Sequence, residues 1–153
     1  MEYIMTWQFN DECFTEIPKG YEAFVYLIEN LTNGKKYIGK KFFYTRRKPP
    51  KTKKNENTKR RRVTKESDWK DYWSSSDFLK ADVKELGEEN FSRKILVICK
   101  TQGDASRVET EMLFENKVLY SDDWYNEAIG NNHRPPDHIV EDRIYSKKSE
   151  NNA

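Results

Sequence analysis

At 153 residues the chain has the length of one domain and can bury a real core, but with 35% apolar and 35% charged residues that core must be compact. No window is apolar enough for a membrane helix and the N-terminus carries no signal-peptide pattern, so a soluble, cytoplasmic protein is expected. The net charge of +2 hides an asymmetry: Lys40 to Lys65 holds thirteen Lys/Arg against the single acid Glu56, while the remainder holds fifteen basic residues against twenty-five acids. Such a split suits one face built for a polyanion.

Residues 1–20 carry scattered apolar anchors (Ile4, Trp7, Phe9, Phe14, Ile17) and stop at Pro18-Lys19-Gly20, which predicts an N-terminal extension with room for a short strand. A hairpin follows at about 21–40, its two β-rich runs flanking Asn33-Gly34. With those two residues as a type I′ loop, Thr32 faces Lys35 and Tyr37 faces Asn30. Tyr26 and Tyr37 then share a face, four residues apart, roughly 13 Å between their Cα atoms. A helix or turn starting at Lys41 is stopped by Pro49-Pro50. A basic insertion over about 48–66 is too polar to pack.

Order returns at Trp69, Tyr72 and Trp73, read as core anchors ahead of base-stacking platforms. Ser74-Ser75-Ser76 supplies an N-cap for a helix over Asp77–Leu86, ended by Gly87. The short β-branched run Ile95-Leu96-Val97-Ile98 marks a buried strand within Phe91–Cys99. A second helix is expected from about Ala105 to Leu119, with Ser106 and Glu109 as a capping box. The tail 131–153 carries Pro135-Pro136; His133 and His138 read as surface histidines, since the prolines forbid a helix that would pair them on a metal. Cys13 and Cys99 make neither a disulfide framework nor metal-ligand spacing, and Cys99 reads as a buried, inert thiol. The sum is an α+β fold in the order β-β-α-β-α, a small three-stranded antiparallel sheet flanked by helices, with its main domain over 21–130.

Tyr26 and, eleven positions on, Tyr37-Ile38-Gly39 resemble the signature of the GIY-YIG nuclease superfamily, with Phe24 where a glycine usually stands. The resemblance extends over roughly Ala23 to Ala128. An arginine about ten residues after the second tyrosine belongs to that pattern; Arg47 stands there with Arg46 beside it, and one of the two takes the role. Arg60, Arg61 and Arg62 are fallback candidates. A glutamate on the last helix that binds a divalent cation, and an asparagine closing the core, fall on Glu111 and Asn126. Glu109 competes for the first role but is already assigned to the capping box.

The resemblance implies an endonuclease that uses Mg²⁺ (or Mn²⁺) to hydrolyse phosphodiester bonds in DNA. The residue types suit that chemistry. One carboxylate suffices for a hard cation that keeps waters and takes phosphate ligands, and an arginine holds the phosphate bidentately. A tyrosine beside a cation can act as general base, a role implied for Tyr26, with Tyr37 orienting water or phosphate. Histidines assist in some homing relatives; Trp73 stands near that position here. Lys40, Arg46, Lys48, Lys51, Lys53, Lys54, Lys59 and Arg60-Arg61-Arg62 are expected to track DNA phosphates. The Trp69–Ser76 segment looks like that of phage-borne, stand-alone members, implying a homing or restriction-like nuclease acting in a host cytoplasm. The alternative is a non-catalytic nucleic-acid-binding module on the same fold, Phe24 marking a decayed site. Cutting both strands with one small site calls for a homodimer or two successive nicks.

Overall fold

The computed structural model of the chain describes residues 6–47, 63–129 and 143–147. In chain order the strands are β1 (Trp7–Phe9), β2 (Glu12–Phe14), β3 (Ala23–Asn30), β4 (Lys36–Phe42), β5 (Tyr44–Arg47), β6 (Val63–Glu66), β7 (Phe91–Cys99) and β8 (Ile144–Tyr145). Helix α1 (Asp77–Leu86) precedes β7 and helix α2 (Gln102–Glu115) follows it.

The expected antiparallel trio forms the centre, in the order β7-β3-β4, but the sheet is larger than three strands. Among the described residues it has six and is mixed: β1 pairs parallel with β7 at Gln8↔Lys94, β2 pairs antiparallel with β1, and β8 pairs antiparallel with β7 at Val97 and Ile98. Trp7 explains why the first strands belong there. It is buried, packs edge-on against Phe24 with ring centroids 5.1 Å apart, and donates its indole N–H to the Trp69 carbonyl at 2.6 Å. A second, two-stranded sheet of β5 and β6 stands where a helix or turn was expected after Lys41.

The sheet is covered on both faces. Phe24, Tyr26, Ile28, Phe91 and Ile95 face Trp7, Trp69 and the α1 residues Leu79 and Val83. Ala23, Val25, Ile38, Val97 and Cys99 face Ala105, Val108 and Leu113 of α2. Two-sided burial gives the unbroken apolar run of β7 its reason. A bulge adds to it: Val25 opposes Val97 but Tyr26 opposes Ile95, so Leu96 is the extra residue beside Tyr26.

Local signals set both ends of α1. Ser76 caps it by accepting from the Leu79 N–H at 3.3 Å, and Gly87 ends it at φ +93°. Helix α2 begins earlier than expected. Thr101, not Ser106, is its cap, accepting from the Asp104 N–H at 3.0 Å. Ser106 lies inside the helix with its hydroxyl bonded to the Gln102 carbonyl, so Glu109 has no capping role.

Candidate active site

The hairpin turn decides how the two tyrosines meet. Asn30 is fully buried, and its side-chain oxygen accepts from both the N–H and the hydroxyl of Thr32, at 3.0 and 2.6 Å. This Asx turn widens the loop to residues 31–34, closed by the Asn30 N–H on the Lys35 carbonyl. Asn33 does not take the positive φ that a type I′ turn needs; only Gly34 does, at +77°. The register therefore differs by two residues from the one expected: Tyr37 faces Ile28 and Tyr26 faces Gly39. An even shift keeps both tyrosines on one face but brings them to diagonal positions, with ring centroids 6.1 Å apart.

Gly39 makes this approach feasible. A Cβ there would lie 2.4 Å from the Tyr26 hydroxyl oxygen and 2.8 Å from the Tyr37 ring. Gly39→Ala is expected to displace the Tyr26 phenol and destabilise the fold by about 1–3 kcal/mol, as overpacking does. Chemical denaturation measures this, and an unchanged midpoint contradicts the packing given for Tyr26.

Strand β4 is the end strand of the sheet, and its outward N–H groups are met by three acceptors in turn. Lys36 donates to the Asp123 carbonyl at 2.9 Å, and Ile38 to Asn126 Oδ1 at 3.1 Å. Lys40 donates its backbone N–H to the Glu109 carboxylate. Asn126 returns a bond from Nδ2 to the Ile38 carbonyl at 2.8 Å, so its side chain clamps the backbone between the two signature residues Tyr37 and Gly39.

Glu109 reaches this edge because Gln102, Ser106 and Glu109 form one helical stripe at i, i+4, i+7. Ser106 accepts from Lys40 Nζ at 2.8 Å, and Gln102 reaches toward the Tyr44 carbonyl at 3.5 Å. Glu111 lies two residues further on, about 200° around the helix, and is exposed.

The electrostatics link the same groups. Burial pushes the Tyr26 phenol well up, helped by Tyr37, Tyr72 and Glu109, and by a hydrogen bond with Tyr72. Burial also raises Tyr37, against the effect of its bond to Ser75 Oγ at 3.3 Å. Glu109 is raised by burial as well, with Lys40 opposing. Burial thus favours the neutral form of the Tyr26 phenol.

Over residues 7–129 the chain matches the family model of the SegE endonuclease GIY-YIG domain. The chain belongs to the GIY-YIG endonuclease family. No curated protein and no solved structure matches it significantly.

Within this GIY-YIG fold, Tyr26, Tyr37 and Asn126 come together around β4. Arg46 and Arg47 do not join them: Arg46 is paired with Glu22 at 2.6 Å, Arg47 is exposed at the end of β5, and neither is among the groups that perturb the tyrosines or Glu109. Lys41 is a cation on the tyrosine face, its Nζ 4.0 Å from the Tyr72 ring centroid and 2.6 Å from Asp68 Oδ1, and Arg93, over the Trp7 and Trp73 rings, is another. Lys41, Tyr72 and Ser75 were given no role at the site from the sequence, and Glu109 was weighed for the cation but assigned to the capping box. Only Glu109 had a findable signal there, the stripe counted from Thr101. Trp69 is fully buried, while Trp73 is half-buried and packs on Phe91 and the Arg93 guanidinium. Lys48, Lys51, Lys53, Lys54, Lys59, Arg60, Arg61, Arg62, His133 and His138 lie outside the described residues. A cleft of about 290 Å³ opens beside Tyr37, lined also by Ser75, Asp77, Phe78, Tyr125 and Asn126 among others. Among the described residues no helix is long and apolar enough to cross a membrane.

At this edge a single carboxylate, Glu109, is on offer to a hard divalent cation, and among the described residues no group of three or more His, Cys, Asp or Glu is placed to hold one. Glu109 is a half-buried carboxylate whose burial disfavours its charge, with one lysine to offset it and phenol oxygens nearby. Mg²⁺ needs little more from a protein, because it keeps several waters and completes its shell with substrate phosphate.

Proposed function

We propose that this chain is a metal-dependent endonuclease hydrolysing phosphodiester bonds in DNA, with its reacting centre at the edge of β4. The observation that supports this is the convergence of Tyr26, Tyr37 and Glu109 on the Gly39-Lys40 stretch. Glu109, rather than Glu111, is the residue to hold the cation. When bound, Mg²⁺ or Mn²⁺ supplies charge neutralisation at the phosphate and an acidified water. Tyr26, kept neutral by burial, donates its phenolic proton in a hydrogen bond to a phosphoryl oxygen or to water. Tyr37, half-exposed and bonded to Ser75, orients the substrate from the cleft side. Lys41 supplies the fixed positive charge expected of Arg47, and Asn126 keeps the edge backbone in place.

Phe24 does not occupy this centre. It is buried in the aromatic core against Trp7, Phe43 and Trp69, so its bulk is absorbed by packing and gives no sign of a decayed site. Incubation of supercoiled plasmid with the protein in Mg²⁺ and in EDTA tests the activity. Nicked or linear product only with Mg²⁺ is expected. A salt-sensitive gel shift without any product points instead to a binding module.

A further inference from the structure

The two-stranded ribbon of β5 and β6 has two unlike faces. Its pairs are Tyr44↔Glu66, Thr45↔Lys65, Arg46↔Thr64 and Arg47↔Val63, and alternation divides them. One face is tied to the domain: Tyr44 packs on the core, Arg46 bonds Glu22 and Glu66 accepts from the Trp69 indole at 2.9 Å. The other face presents Thr45, Arg47, Val63 and Lys65. No described carboxylate pairs with Arg47 or Lys65, and Val63 is 57% exposed. Among the described residues Val63 belongs to neither apolar core.

We propose that this face of the ribbon enters the major groove of duplex DNA and reads base edges. A two-stranded ribbon fits that groove, which is about 12 Å wide. The face is cationic and free of acids, and the chain between Arg47 and Val63 carries the densest positive charge of the sequence, so charge complementarity selects a polyanion. Arg47 is the residue suited to guanine O6 and N7, Val63 to a thymine methyl, and Lys65 to a flanking phosphate. The proposal rests on the reading of the chain as a DNA enzyme, and it supplies the sequence selectivity that the reacting centre lacks.

The test is binding in EDTA to a duplex pool randomised over about one helical turn, followed by sequencing of the bound fraction. Wild type is expected to enrich guanine at one position or more. Arg47→Ala should lose that preference by roughly tenfold to a hundredfold, with little change on an unrelated duplex. Lys65→Ala should keep the preference and lower the salt slope of binding by about one. Arg47→Ala behaving like Lys65→Ala would make Arg47 a phosphate contact and overturn the proposal. So would equal competition by double-stranded RNA, whose deep, narrow major groove side chains cannot read. A wild type that cuts plasmid but shows a flat profile overturns base reading alone; one that neither binds nor cuts overturns the nuclease reading beneath it.

Discussion

Replacing Glu109 by glutamine is expected to cut plasmid cleavage by about a thousandfold, the scale of losing a principal charge-stabilising group. Duplex binding should stay within a few-fold, because the basic run is untouched. Glu111→Ala, on the exposed side of α2, should cleave like wild type. The reverse pattern, an active Glu109 variant and a dead Glu111 variant, would return the metal to the residue first suggested by spacing. The same substitution has a second readout. Burial raises the Glu109 carboxyl, so the folded state holds its proton more tightly than the unfolded chain does. Its favourable contribution is present in acid and lost as pH rises through the folded value. Glu109→Gln should therefore be more stable than wild type at neutral pH, with the gain vanishing in acid. Thermal melts at two pH values decide this, and equal gains at both would show that charge is not the cause.

Arg143→Ala is expected to cost about 3 kcal/mol of folding stability. Asp104, in the first turn of α2, is fully buried, and Arg143 holds it bidentately, Nε to Oδ2 at 2.7 Å and Nη2 to Oδ1 at 2.6 Å. Without Arg143 the buried charge keeps, among the described residues, only the cation Arg107, 3.8 Å away. Urea denaturation measures the loss; a change within experimental scatter would show that the pair is not needed. A second probe is Cys99, buried against Asp104, whose thiol is pushed up to about 12, chiefly by burial. In the native protein a thiol reagent should label exposed Cys13 and spare Cys99, and Arg143→Ala should make Cys99 reactive well below global unfolding. Arg143 lies beyond the family match, so a chain cut at residue 129 is expected to lose this clamp along with strand β8.

What was legible in the sequence was what local signals decide. Ser76 and Gly87 bracket α1 because a hydroxyl cap and a positive φ are properties of single residues. The strand Phe91–Cys99 announced itself because it is buried on both faces. The start of α2 was misplaced because Ser106-x-x-Glu109 and Thr101-x-x-Asp104 are equally good capping patterns, and only the burial of Asp104 and Ala105 against the sheet chooses the second. A helix capped five residues late gave Glu109 a capping role it does not have, which is why Glu111 was preferred to it for the cation. The hairpin register depended on Asn30, whose amide is engaged by the Tyr125 hydroxyl at 3.0 Å, ninety-five residues away in sequence. No short-range rule contains that bond. Strands β1 and β8, three and two residues long, are too short for periodicity to register.

The row of acceptors along β4 has a meaning apart from chemistry. An end strand with free N–H groups is a template on which another chain can grow, and folded proteins must blunt it. Here the blunting falls to Asp123, Asn126 and Glu109, two of which also belong to the proposed reacting centre. A lineage that lost the activity would therefore not be free to discard these side chains. Variants lacking both Asn126 and Glu109 should tend toward self-association, so the guard against aggregation itself constrains the site to keep its residues.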